Sequence, residues 1–341
     1  MADQTRCSRS AVLRARMGSA LVLLLVPLLS VGAASAQLVP ERVYYGIDRP
    51  MPIEVVRPAG VAGDLQIKLL EPVSAGELAS VRCEEGMVDL ASLMPQLFEP
   101  TFAERAVYAQ LVVGDTPVGP ALVVQPLRSV EYARLDPRGQ IDWLSDRPVL
   151  SGFRVYQDQL VLMETSLGDV TFRMRPDEAP NTVWNFLTLA DGGFYTDILF
   201  HRIIGGSPEV PPFVVQVGDP TGGGSGGPGY FIDLERSELP HTFGVLSMAR
   251  FKENPNSNGS QVFICLSRER TRPLDGDYTT FGEAVDGGDT ILALESVPTG
   301  AGDRPVDPPV LERLRLIPAP PYGTGPKPIE RPKRAAPSSE R

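Results

Sequence analysis

The strongest constraint on the fold is the spacing of the apolar residues: over residues 38–127 they alternate in short runs broken by Pro, Gly and Asp, with no sustained helical period. Leu65, Ile67 and Leu69 alternate with polar neighbours; Val107, Ala109, Leu111 and Val113 likewise recur at every second position, and residues 121–124 add another apolar run. Alternation puts every second side chain on one face, so short strands at this density predict a small antiparallel β-sandwich over residues 37–127. No acid pair, metal-ligand cluster or aromatic array marks a site there, and a spacer or partner-binding role is the default. Residues 128–157 read as a mixed, partly charged linker with a turn at Asp136-Pro137-Arg138-Gly139.

At 341 residues the chain exceeds what one compact domain usually holds, which points to two domains with accessory segments. A formal net charge of −10 leaves no basic face to displace counterions from phosphates, so no nucleic-acid partner is expected. Residues 1–36 have the three-part layout of a secretory signal: Arg6, Arg9, Arg14 and Arg16 make a basic start, residues 20–31 an apolar stretch, and Ala34-Ser35-Ala36 a small-residue cleavage site. The apolar stretch is shorter than the ~20 residues of a spanning helix and is broken by Pro27, so cleavage before Gln37 is expected rather than anchoring. The expected product is a monomer exported to the periplasm or the exterior, with no stable membrane insertion. Cys83 and Cys265 fall in different predicted domains, which favours two unpaired thiols over a bridge. Beyond residue 317 the chain turns Pro-rich and basic and cannot bury enough of its own apolar surface, so residues 318–341 are expected to form a disordered tail.

Residues 158–317 carry the chemistry. Runs at 160–165 and 170–174 flank Ser166-Leu167-Gly168-Asp169 and read as a hairpin. After Ala179-Pro180, the residues Val183, Phe186, Leu187 and Ala190 define one apolar helix face, stopped by Gly192-Gly193. Then follow Phe200-His201-Arg202, Phe213-Val214-Val215-Gln216-Val217-Gly218-Asp219, a glycine-rich stretch at 221–230 and Ser247-Met248-Ala249-Arg250. Asn258-Gly259-Ser260-Gln261-Val262-Phe263-Ile264, Leu274-Asp275-Gly276 and Phe281-Gly282 close the series. The glycine-rich stretch does not match a phosphate-cradling loop, because no Gly-Lys-Ser/Thr follows it. His201 and His241 are the only histidines, too few for a histidine-rich metal site, and no Gly-x-Ser-x-Gly elbow supports a hydrolase.

In this order the segments resemble the cyclophilin family of peptidyl-prolyl cis/trans isomerases. The resemblance implies a mainly β fold: a closed eight-stranded antiparallel barrel over residues 158–317, capped by the helix just described and by a second over residues 286–294. It also implies proline-containing polypeptides as substrates and no cofactor. An Xaa-Pro bond turns slowly because amide resonance imposes a barrier of about 18–20 kcal/mol, and a catalyst must favour the twisted amide over either planar form. Twisting returns the lone pair to the prolyl nitrogen, which a fixed guanidinium with directed N–H groups can meet. By resemblance that group is Arg202, with Gln216 and Gln261 holding backbone amides and orienting it. Phe213, Val214, Phe263, Leu274 and Tyr278 would line a slot for the pyrrolidine ring, while Gly224, Ala249 and Arg250 would border the extended peptide. Strand period supports part of this independently, since Gln261 and Phe263 share a face, as do Val214 and Gln216.

Three departures from the common pattern bear on access to that slot. Residues 206–211 are inserted after Ile204, Pro273 stands where many eukaryotic members carry Trp, and Tyr278 replaces a frequent His, as in bacterial members. The competing expectation is a non-catalytic module that grips proline-bearing partners on an exported scaffold; it needs the slot but not the cation of Arg202.

Overall fold

The structure, a computed structural model, describes residues 37–128, 131–144 and 149–332; the expected signal segment lies outside them, as do residues 333–341 of the expected tail. The described residues are mainly β and fall in one compact unit.

Two sheets form the N-terminal part. Leu38–Pro40, Pro52–Val55 and Gly86–Asp89 pair into a three-stranded sheet. A seven-stranded sheet runs Tyr44–Gly46, Leu150–Gln157, Leu122–Arg128, Val107–Val113, Leu65–Leu70, Glu77–Arg82, with Thr116–Pro117 added on Val107–Val113. Leu38, Ile53 and Val55 of the first sheet share one core with Ile67, Val107, Leu111, Leu122, Phe153 and Val155 of the second. The stretch read as a linker is in part strand: Leu150–Gln157 joins the larger sheet between Leu122–Arg128 and Tyr44–Gly46, and Tyr132–Leu135 pairs with Ile141–Leu144 in a separate two-stranded hairpin. The opposite face of the larger sheet is also covered, because Leu70, Tyr108, Ala121, Val123 and Tyr156 pack into the core of the C-terminal sheet. Val107–Val113 is accordingly buried at every position.

The C-terminal sheet has nine strands in the order Thr196–Leu199, Val310–Pro318, Gln159–Thr165, Gly168–Met174, Thr280–Asp286, Val245–Met248, Val262–Cys265, Val214–Val217, Arg202–Ile203. The expected ring of eight strands is not closed by hydrogen bonds. The two ends of the ladder, Thr196–Leu199 and Arg202–Ile203, are consecutive in the chain and separated only by Phe200 and His201. A strand cannot pair with its own continuation, so the ladder keeps a seam where the chain itself passes from one edge to the other. Phe172, Phe186, Phe200, Val215, Leu246, Ile264 and Phe281 fill the interior.

Pro180–Asp191 forms the first helix and buries Val183, Phe186, Leu187 and Ala190, the face read from the sequence. Its start is capped from outside: the Glu235 carboxylate accepts from Asn181 N at 3.1 Å and Thr182 N at 2.6 Å. The second helix, Gly288–Glu295, begins two residues later than expected and buries Ile291 and Leu294.

Residues 319–332 are not a free tail. Ala319 N donates to Asp158 O, Tyr322 N donates to Gln110 Oε1 at 2.7 Å, and the Tyr322 ring stacks on Tyr108 with 3.6 Å between centroids. Farther on, Ile329 N donates to Ala284 O, and Arg331 forms a two-pronged ion pair with Glu295 at 2.7 and 2.8 Å. The composition argument counted only what the segment could bury within itself; its partners are surfaces supplied by residues far away in the chain.

Where the two sheets and this strap meet, Asp158 is buried and paired with Arg173 Nη1 at 3.1 Å. Burial, only partly offset by Arg173, raises the Asp158 carboxyl to about 6. The native state therefore holds a proton there that the unfolded chain releases near pH 4. This group's contribution to stability should fall by on the order of 2 kcal/mol as pH rises from about 4 to about 6. Urea midpoints measured across that window should show the decline in the wild type and a flatter profile in Asp158→Asn; identical profiles would remove the assignment.

Candidate active site

Four neighbouring strands bring the key side chains into register. Arg202 faces Gln216, Gln216 faces Phe263, and Phe263 faces Ser247 across successive antiparallel ladders. Val214 lies two residues before Gln216 and shares its face. On this side of the sheet Val214, Leu239, Val245, Phe263 and Cys265 form a small apolar cluster, separate from the main core, with Phe213, Ala249, Leu274 and Tyr278 packed against it. All five residues expected to line a proline slot are in that one cluster.

The polar residues expected beside it also converge, with one change of partner. Gln216 Nε2 donates to Gln261 Oε1 at 2.9 Å, and Gln261 Nε2 donates to Gly224 O at 3.1 Å and Gly226 O at 2.9 Å. Gln216 was expected to orient Arg202; its amide is instead turned to Gln261, and the ionic partner of Arg202 is Asp303, with Nε 3.5 Å from Oδ2. Asp303 and Gly302 both have positive φ, 61° and 71°, in the turn that presents the carboxylate. A non-glycine residue held there costs energy that the surrounding structure must offset.

The glycine-rich segment is pinned, not free. Asp219 accepts from Thr221 N at 2.7 Å, Thr221 Oγ1 at 2.8 Å, Gly224 N at 2.5 Å and Gly226 N at 3.0 Å. Burial opposes ionisation of Asp219, but these donors outweigh it and hold the carboxyl at about 2. Gly224 sits at φ 93°, open to glycine, and its carbonyl is thereby aimed at Gln261. Gln216, Gly224, Ala249, Arg250 and Gln261 border a cavity of about 400 Å³ next to the apolar cluster. Arg250 closes one side: its Nε donates to Asp277 O at 2.9 Å, and the guanidinium lies 4.6 Å from the centre of the Tyr278 ring.

Residues 206–211 lengthen the hairpin between Arg202–Ile203 and Val214–Val217 without breaking it. Ile204 N donates to Val214 O at 2.9 Å and Phe213 N donates to Ile204 O at 2.8 Å, so pairing continues to the base of the insertion. Arg270 holds the loop by donating to Pro211 O at 3.2 Å and lies over the Phe213 ring at 5.2 Å. Pro273 lies in the short Arg272–Leu274 turn.

Sequence reasoning overlooked the parts played by Asp219 and Asp303. An Asp two residues before a Thr, at the head of a glycine run, is a recognisable acceptor for successive backbone N–H groups and could have flagged Asp219. Nothing local flags Asp303, which meets Arg202 across about a hundred residues of chain. Among the described residues no group of His, Cys, Asp and Glu is arranged to hold a metal ion, Cys83 and Cys265 are both free, and no helix is long and apolar enough to cross a membrane.

Residues 160–316 match the family described as cyclophilin type peptidyl-prolyl cis-trans isomerase/CLD. The chain is 43% identical over 162 residues to a peptidyl-prolyl cis-trans isomerase-like 1 of Aspergillus oryzae, a match covering 46% of this chain and 94% of that protein. It is 42% identical over 153 residues to a peptidyl-prolyl cis-trans isomerase of Schizosaccharomyces pombe, covering 43% of this chain and 92% of the relative. A crystal structure of a Cryptosporidium parvum cyclophilin in the presence of the dipeptide Ala-Pro aligns with a TM-score of 0.43 at 36% identity, over 46% of this chain and 98% of that one. These relatives are eukaryotic, and the bacterial likeness inferred from Tyr278 is not carried by them. With nearly the whole length of such relatives matched at this identity, the chain belongs to the cyclophilin-type peptidyl-prolyl cis/trans isomerases and is an enzyme of that activity.

Proposed function

We propose that this isomerase turns exposed Xaa-Pro bonds of exported, incompletely folded polypeptides, with Arg202 as the group that stabilises the twisted amide. The observation that carries this reading is the register of Arg202, Gln216 and Phe263 on three adjacent strands, beside the apolar cluster that contains Phe213, Val214, Leu274 and Tyr278.

In this reading the pyrrolidine ring sits in the cluster against Phe263 and Val214, and the preceding residues of the peptide run toward the cavity bordered by Ala249 and Arg250. Gln261 and Gln216 are already joined to each other and to the backbone of the glycine-rich segment, so they present fixed amides to the substrate. Asp303 takes the Nε side of the Arg202 guanidinium, which leaves the Nη groups for the prolyl nitrogen as it regains its lone pair. The twisted amide gains a charge-assisted hydrogen bond that the planar forms lack, and that difference lowers the barrier. No bond is made or broken and no proton need leave the enzyme. A purely binding module would require the apolar cluster but not a cation fixed in this register.

Export rests on the basic start, apolar stretch and Ala34-Ser35-Ala36 site of residues 1–36, and it extends the reading to a monomer working in the periplasm or outside the cell. Two measurements test the reading. Exchange spectroscopy of an Ala-Pro peptide should show faster cis/trans interconversion with catalytic amounts of the full chain; peptide binding without acceleration would favour the binding module. Mass analysis of the protein recovered outside the cytoplasm should give a mature N-terminus at Gln37, and recovery of the intact chain in the cytoplasm would remove the export part.

A further inference from the structure

Behind the apolar cluster lies a set of polar groups that the isomerase chemistry does not itself use. Asp275 follows Leu274 directly and precedes Tyr278 by three residues, and both of those side chains pack on the cluster. Its Oδ1 accepts from the His241 backbone N–H at 3.1 Å and lies 2.9 Å from His241 Nδ1, while Arg268 reaches its two oxygens at 2.9 and 2.5 Å. On the other side of the imidazole, Nε2 is 3.0 Å from Ser247 Oγ. The His241 ring lies parallel to Phe263, with 6.0 Å between centroids and 12° between planes, and Tyr278 meets Phe263 edge-on at 5.8 Å.

The protonation pattern fixes the tautomer of His241 at neutral pH. Burial depresses the His241 imidazole below its usual value against the opposing pull of Asp275, so the ring is neutral. Burial works against the Asp275 carboxylate, but Arg268 and the His241 donors outweigh it and hold the carboxyl well below the usual range. An ionised Asp275 requires the proton on Nδ1, which makes Nε2 an acceptor for the Ser247 hydroxyl. The same hydroxyl can also donate to Thr279 O at 3.0 Å, whose second lone pair takes the Met248 N–H. The imidazole is held by Asp275 at Nδ1 and by Ser247 beside Nε2, and it cannot turn without losing these contacts in a buried setting.

We propose that Asp275, acting through His241 and Arg268, is a positioning residue for the proline slot: it sets the plane of Phe263 from behind and anchors the wall formed by Leu274 and Tyr278. The proposal rests on the slot reading above and deepens it. The slot holds the pyrrolidine ring in planar and twisted states alike, so loosening it weakens substrate and transition state together. The expected signature is a raised KM with kcat preserved, the opposite of losing a group that acts only on the twisted amide.

The test is steady-state kinetics on an Ala-Pro peptide with the full chain, well below the melting temperature. Asp275→Asn and Arg268→Ala are each expected to raise KM about five- to tenfold and to leave kcat within about twofold. His241→Phe, which keeps a ring against Phe263 and loses both polar contacts, should retain more of the wild-type KM than His241→Ala. Should Asp275→Asn fail to fold, Arg268→Ala carries the test, because the Arg268 side chain is 38% exposed. Unchanged KM in the folded variants, or a lower kcat at constant KM from a reduced active fraction, would overturn the proposal. Arg202→Ala in the same assay separates the two readings: an unaffected kcat there sinks the slot reading itself, whereas a collapsed kcat beside wild-type KM in Asp275→Asn sinks only the positioning role.

Discussion

Replacing Arg202 with Ala is expected to lower kcat and kcat/KM together by about 10²–10³, equivalent to about 3–4 kcal/mol of transition-state stabilisation. The two constants should fall in parallel because the guanidinium meets a lone pair that exists only in the twisted amide. Stability should scarcely change: the Arg202 side chain is 42% exposed, and its 3.5 Å pairing with Asp303 is a surface ion pair worth at most about 1 kcal/mol. Arg202→Lys keeps the charge but offers a point donor in place of a planar fork, and should recover only part of the rate. Exchange rates of an Ala-Pro peptide, read beside thermal melts of each variant, decide the matter. A folded Arg202→Ala with wild-type kcat would mean that proline slot and catalysis lie elsewhere.

Ending the chain after Pro318 is expected to remove on the order of 3–5 kcal/mol of stability, a large share of the 5–15 kcal/mol typical of folded proteins. The strap contributes at two places. Tyr322 stacks on Tyr108, receives the Arg173 cation at 5.5 Å, and donates its hydroxyl to Pro72 O. Ile329 and Arg331 then fasten the segment to Ala284, Leu266 and Glu295 on the C-terminal sheet and its second helix. The prolines of this segment have φ already restricted, so ordering it costs less entropy than for an ordinary stretch of the same length. Tyr322→Ala alone should account for about 2–3 kcal/mol of the loss, mainly by uncovering Tyr108. Urea unfolding with matched isomerase assays would show the midpoint falling while the activity of the folded fraction stays. An unchanged midpoint after truncation would mean that the segment is not docked in solution.

The strap also illustrates what sequence reasoning can and cannot reach. The helix face of Val183, Phe186, Leu187 and Ala190 was legible because the residues that create it lie within three turns of one another. The hairpin of Gln159–Thr165 with Gly168–Met174 was legible for the same reason. That Phe213, Val214, Phe263, Leu274 and Tyr278 would meet was legible through an ordered series of short motifs, each of them weak alone. Arg331 with Glu295, Tyr322 with Tyr108 and Arg202 with Asp303 carry no comparable mark, because each side chain looks like an ordinary surface residue until its partner arrives.

By itself, then, the sequence determined the mainly β class, the position of the first helix, and the set of side chains that meet around Phe263. These follow from periodicity and from motifs whose residues are close in the chain. Only the tertiary structure decided that the C-terminal ladder keeps a seam at Phe200 and His201, that Gln216 turns to Gln261, and that Leu150–Gln157 is a strand rather than a linker. It also decided that Val107–Val113 is covered on both faces. The physical reason is the same throughout: a residue's own pattern fixes which side chains share a face, but burial of that face depends on surfaces delivered from distant parts of the chain.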